Sequence, residues 1–289
     1  MNKKTMLAIS ALCATVAIQA KAETLVSSDV VGYTNVGLRD GGKSMVGPCF
    51  VSVGGNTVKL SELKVTGYEK NEYYLTEEYA FGATFQIRKA NGMPESEYLW
   101  SDTTDDGETW NGGVWSDFDT GDEITAANDV TLNAGDALWF DCPDFQGSDG
   151  FYLTSAGVVL KGDQAFPLKD GAKCAVCNML PAPTTLSKIE IQGYEDNEYY
   201  LTEEYAFGLT MQSLKSNGMP QAEYLWSDTT DDGENWNGGV WSDFDTGDEI
   251  TAANDVTIGA GEGFWVDPPE RQGSKAFYFV VPKVLSENN

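Results

Sequence analysis

The chain repeats itself, and the repeat constrains the fold more than any other feature. Residues 67–131 recur as residues 193–257 at a constant spacing of 126, with 56 of the 65 positions identical. Upstream, Leu38-Arg39-Asp40-Gly41-Gly42-Lys43 matches Leu168-Lys169-Asp170-Gly171-Ala172-Lys173 at a spacing of 130. Downstream, Ala137-Leu138-Trp139-Phe140 matches Gly263-Phe264-Trp265-Val266. The same architecture must therefore be built twice, from units of about 125 residues, a size that buries one core of its own. The change of spacing predicts a shorter loop in the second copy, around Pro181-Ala182-Pro183. The border is read near Ala156, giving units 23–155 and 156–289. Only a few residues separate Leu153 from Val158, so the units are expected to pack or stack rather than hang on a flexible string.

Within each unit the reading is all-β. Segments 30–38, 50–53, 63–68, 84–88, 113–117, 137–141 and 150–154 are rich in β-branched or aromatic residues. Gly, Asn and Asp clusters separate them at about ten-residue spacing, the pattern of a β-sandwich or barrel. Phe85 and Ile87 alternate with Gln86 and Arg88, as a strand with one buried face requires. The second copy has Met211, Ser213 and Leu214 here, so the packing of this strand is expected to differ between copies. Apart from residues 75–79, which have room for one turn, no helical periodicity follows the N-terminal segment.

That segment reads as an address. Lys3 and Lys4 precede an apolar run over residues 6–18, and Ala20-Lys21-Ala22 fits a small-x-small cleavage pattern, so residues 1–22 are expected to be a cleaved signal peptide and the protein secreted or held at the cell surface. No later segment is apolar enough to span a membrane. The whole chain carries 18 Lys and Arg against 45 Asp and Glu, a net charge of −27, which becomes −30 once Lys3, Lys4 and Lys21 are removed. Such a balance argues against nucleic acid as a partner, because phosphate binding needs clustered cations. There is no histidine. Histidine triads, Cys-His dyads and His-ligated zinc or iron sites are thereby excluded.

Two motifs carry a family likeness. Thr103-Thr104-Asp105-Asp106-Gly107-Glu108-Thr109-Trp110 resembles the Asp box, a hairpin found in sialidases and other secreted β proteins; its copy at 229–236 differs only in Asn235. The resemblance implies turn and packing roles for Asp105, Trp110, Asp231 and Trp236, and does not imply sialidase activity. Residues 132–140, with their copy 258–266, are similar to the LxxGxGFWV strand of uncharacterised secreted bacterial tandem β-repeat proteins. That likeness implies a closing strand of a sandwich unit.

The strongest candidate for ligand binding is the acidic turn Asp117-Phe118-Asp119-Thr120-Gly121-Asp122-Glu123, copied at 243–249. Calcium takes six to eight oxygens from a sharply turning loop, so Asp117, Asp119 and Asp122, with Asp243, Asp245 and Asp248, are candidate metal ligands and Ca²⁺ the candidate cofactor. The competing reading is a solvated acidic turn. Each copy also has four tryptophans and a tyrosine group. Aromatic faces among carboxylates grip sugar rings, which makes Trp115, Tyr73, Trp241 and Tyr199 candidate carbohydrate contacts; Trp139 and Trp265 read as core. Carboxylates are abundant enough for glycoside hydrolysis, but no pair stands out, and the chain reads as no enzyme. Of the four cysteines beyond the signal, Cys49 and Cys142 have Met179 and Pro268 as counterparts, a joint absence that predicts a Cys49–Cys142 disulfide. Cys174 and Cys177 would lie roughly 10 Å apart on one strand, beyond disulfide reach.

The sequence therefore points to a secreted, acidic, non-catalytic structural or adhesive component of the cell envelope or extracellular matrix. Glycans or other copies of the chain are its expected partners. The alternative is a calcium-dependent carbohydrate-binding module.

Overall fold

A computed structural model describes residues 31–70, 83–88, 93–102, 110–196, 208–215, 217–228, 238–270 and 276–283. Strands make up 49% of it and helix 5%, so the fold is all-β, built of small antiparallel sheets. Residues 31–289 form one compact unit. Among the described residues, ten strands come from the first copy: β1 (Val31–Gly37), β2 (Lys43–Val46), β3 (Thr57–Lys59), β4 (Lys64–Thr66), β5 (Ala83–Arg88), β6 (Pro94–Asp102), β7 (Gly113–Asp117), β8 (Thr131–Asn133), β9 (Leu138–Asp141) and β10 (Tyr152–Val158). Ten more follow in the same order: β11 (Gln164–Pro167), β12 (Cys174–Cys177), β13 (Thr184–Thr185), β14 (Glu190–Gln192), β15 (Leu209–Leu214), β16 (Pro220–Asp228), β17 (Gly239–Asp243), β18 (Thr257–Ile258), β19 (Gly263–Asp267) and β20 (Tyr278–Val281). Strand β10 runs through Ala156, so the first set closes at Val158 and the second opens at Gln164.

Each set makes the same three sheets: a five-stranded one (β2-β9-β5-β6-β7, repeated as β12-β19-β15-β16-β17), a three-stranded one (β1-β10-β4 and β11-β20-β14) and a two-stranded one (β3-β8 and β13-β18). Period-2 alternation explains how the two larger sheets share a core. On the five-stranded sheet, Phe85 lies opposite Tyr98 and Phe140, and Trp100 opposite Trp115, which places all five rings on one face. On the three-stranded sheet, Val36, Leu153 and Val65 line up across three strands. Both rows are buried in one cluster. The second copy repeats the arrangement with Met211, Trp226, Trp241, Ile191 and Phe279. Met211 stands where the first copy has Phe85, and both are fully buried.

The two copies meet at a seam with twofold character. Val46 bridges Glu262, and Asp136 bridges Val176; Val176 is the counterpart of Val46, and Glu262 that of Asp136. Gly47 N–H donates to Gly261 O at 2.8 Å, and its counterpart Cys177 N–H donates to Gly135 O at 3.0 Å. Contacts that exchange partners in this way define an isologous interface. Met45, Ala137, Trp139, Cys177, Leu214 and Trp265 fill its centre. Glycine is needed at the crossing. At Gly261, with φ at +67°, a Cβ would lie 2.6 Å from Val36 Cγ2, and at Gly135, with φ at +92°, 2.7 Å from Phe166 Cδ2.

Candidate functional site

The acidic turns are built around one carboxylate each. Strand β7 ends at Asp117, whose Oδ1 accepts from Asp119 N–H at 3.1 Å and Thr120 N–H at 2.9 Å. Gly121 N–H closes the turn on Asp117 O at 2.8 Å with φ at +75°. Asp243 does the same for Asp245 and Thr246 at 3.0 and 2.9 Å. This is an Asx turn, in which a short side chain takes the place of a backbone acceptor. Asp119 and Asp122 are exposed, as are Asp245 and Asp248. Among the described residues, no group of three Asp, Glu, Cys or His side chains is placed to hold a metal ion. Phe118 and Phe244, 41% and 40% exposed, stand at the tips of the turns.

The tryptophans expected to grip sugars are core residues. Trp115 is 2% and Trp241 1% exposed. Their indole N–H groups donate inward, to Leu63 O at 2.9 Å and Ile189 O at 2.8 Å. Trp115 packs edge-on against Phe85 and tilted against Trp100, each at 5.0 Å. Neither ring has a face to offer a ligand. Tyr73 and Tyr199 lie outside the described residues, as do Asp105, Asp231 and Trp236 of the hairpin motifs. Trp110 is described; it is half-buried and lies 5.5 Å from Tyr68.

The expected Cys49–Cys142 disulfide is not formed, and the four cysteines among the described residues are free and buried. Chain path explains why. Cys142 N–H donates to Gly42 O at 3.1 Å, at one end of the β2–β9 ladder, whereas Cys49 lies beyond the other end of β2, next to Gly261. Strand β2, four residues long, lies between those ends and holds the two thiols beyond disulfide distance. Cys174 and Cys177 open and close β12, on one strand as expected. Burial pushes the Cys49 thiol up to about 12. It also raises Cys142, with the Asp141 charge adding to it, and Cys177, which Cys49 and Asp136 raise further. A thiol so desolvated is a poor nucleophile and a poor metal ligand at neutral pH.

A groove of about 530 Å³ in the second copy went unread in the sequence. Trp226 and Trp241 line it together with Glu190, Glu195 and Glu249. Trp226 Nε1 is buried there without a hydrogen-bond partner, and so is Trp100 Nε1 in the first copy. The sequence signal was the Gly238-Gly239 pair, because only glycine lets the backbone at 239 pack directly against the Trp226 ring, where a Cβ would lie 2.1 Å from Cζ2.

Comparison with family models, with curated proteins and with solved structures gives no match. No helix among the described residues is long and apolar enough to cross a membrane.

Proposed function

We propose that the protein is a secreted, non-catalytic structural or adhesive component of the cell envelope or extracellular matrix, built from two β-sandwich-like units fused by their seam. The observation that carries this reading is the exchange of partners at the seam, where Val46 meets Glu262 and Asp136 meets Val176. It joins two copies into a single body with two like acidic faces, each with an exposed Phe118 or Phe244 at its turn. Two copies of one surface on one body serve attachment, since a second contact forms at high effective concentration once the first is made. Catalysis draws no comparable advantage from such an arrangement. The first 22 residues fit export as a signal peptide.

The test is immunogold electron microscopy of native cells with an antibody to the protein, beside cells making the chain without residues 1–22. Label on the outer surface of the former and inside the latter supports the reading. Label confined to the cytosol in both contradicts it.

A second reading, carbohydrate binding, is favoured by the groove beside Trp226. Three carboxylates there, Glu190, Glu195 and Glu249, offer acceptors to sugar hydroxyls. A glycan array separates the two readings, because attachment through the turns requires no glycan signal and the groove does.

A further inference from the structure

One cavity of about 300 Å³ lies where the copies meet, and its lining is richer in cations than the rest of the chain. Arg88, Lys169 and Lys173 line it beside Glu95 and Asp136. The whole chain has 18 basic against 45 acidic residues, so three basic lining residues against two acidic ones make a cation-rich lining, with Asp267 and the charge of Glu97 next to it. Arg88 comes from β5 of the first copy, and both lysines come from the second. The guanidinium carbon of Arg88 sits 4.4 Å from the Trp139 ring centroid. Stacking occupies the face of a guanidinium and leaves its donors in the ring plane, the geometry that meets a carboxylate edge-on. Lys173 pairs with Asp267 at 3.7 Å at the rim. Asp136 Oδ2 is fixed by Asn133 N–H and Nδ2 at 2.7 and 3.1 Å. Burial raises its pKa, against the pull of those bonds and of Lys169. Ile87 and Phe166 supply apolar wall.

The duplication provides an internal control. A twofold-related cavity of about 280 Å³ is lined by Val36, Arg39, Ser44 and Glu262, the counterparts of Phe166, Lys169, Cys174 and Asp136. Within the repeated 65 residues only nine positions differ between copies. Four of the 65 line the first cavity, namely Ile87, Arg88, Glu95 and Thr131, and three of those four differ: the second copy has Ser213, Leu214 and Gln221. Two of the other six differences, Ala83 to Leu209 and Phe85 to Met211, are core positions of the same strand pair, β5 and β15, so the copies differ both at this cavity and in the core behind it.

We propose that the cavity between Arg88, Lys169 and Lys173 binds one small hydroxylated carboxylate, of the size of a single sugar acid. Arg88 and the lysines hold the carboxylate, Asp136 and Asn133 take hydroxyl groups, and Phe166 covers an apolar face. The volume is at the low end of small-molecule sites. The assignment is independent of attachment through the acidic turns, since it uses none of their residues.

Isothermal titration of the full chain with D-glucuronate tests it, with D-glucose and sodium sulfate as the neutral and the simple-anion controls. The expected result is one D-glucuronate per chain, not two, with glucose silent and sulfate weaker by about tenfold or more. Arg88→Leu installs the residue the second copy already uses, and should weaken D-glucuronate by about tenfold or more. Glu95→Gln, again the residue of the second copy, removes an opposing charge and should tighten binding. No heat with D-glucuronate at roughly 10 mM, two equivalents per chain, equal binding of sulfate, or both variants binding as the parent does would each overturn the proposal.

Discussion

Trp139 and Trp265 are equivalent residues of the two copies, and they face each other across the seam with ring centroids 6.4 Å apart and planes tilted by 42°. Each comes from the strand at the same place in its own sheet, β9 in one and β19 in the other. A ring in this position stabilises the contact between cores rather than either core. Removing it should loosen the copies from one another. Trp265→Ala is expected to cost about 3 kcal/mol, the size for a buried tryptophan, and to broaden thermal unfolding as the second copy loosens from the first. Circular dichroism melts of the variant beside Tyr278→Ala, a change on an exposed position, provide the check.

Asp117 is expected to be the structural member of its turn. Asp117→Ala removes acceptors from two backbone N–H groups and should cost about 1 kcal/mol, while Asp119→Ala should fall within about 0.5 kcal/mol of the parent. Urea midpoints measured in calcium, in chelator and in matched sodium chloride decide the cause. Equal losses from Asp117→Ala in all three media indicate a turn cap, whereas a loss restricted to calcium indicates an ion site.

Thiol chemistry gives a third expectation. With the chain lacking residues 1–22, four thiols should titrate with an aromatic disulfide reagent after denaturation, and far more slowly in the native state, because all four are buried. A Cys49–Cys142 bridge would instead leave two titrating thiols, and a peptide joining the two residues in a non-reducing digest.

Alkaline pH should destabilise the protein. Burial holds Cys49 at about 12 against 9.0 for the free thiol, and Tyr68 and Tyr194 at about 12 against 10.0. A raised folded pKa means that the unfolded chain releases its proton first. Stability from these groups is therefore fully present below pH 9 and is lost as pH rises towards 12. The slope is at most about 1.4 kcal/mol per pH unit per group. Urea unfolding at pH 8, 10 and 11 should show no loss from these groups at the first value and an increasing loss at the others.

The strands were legible where their residues favour β structure. Segment 113–117 was read residue for residue, because Val114 and Trp115 alternate between glycine and aspartate boundaries. Strand β1 differs from its reading by one residue at each end. The nine-residue β6 is not legible in the sequence, since Pro94-Glu95-Ser96-Glu97 opens it and only the short run Tyr98-Leu99-Trp100 favours a strand. Residues 50–53 read as a strand yet provide only the bridge from Val51 to Val158. At the sites, the failures have a common physical cause. Trp115 is aromatic and near acidic residues whether its face points in or out, and Asp-x-Asp spacing serves an Asx turn as well as an ion. Sequence shows which residues are close in the chain, whereas the seam joins residues from opposite copies. Part of its signal was nonetheless present, in the change from Arg88 to Leu214 between the copies.

Differential scanning calorimetry of the full chain decides whether the two copies unfold as a single cooperative body. Two nearly identical copies are expected to melt at similar temperatures, so the number of peaks decides little; the ratio of calorimetric to van't Hoff enthalpy decides. One body joined through Trp139 and Trp265 predicts a ratio of about 1. A ratio of about 2, the value for two like units unfolding separately, would contradict it.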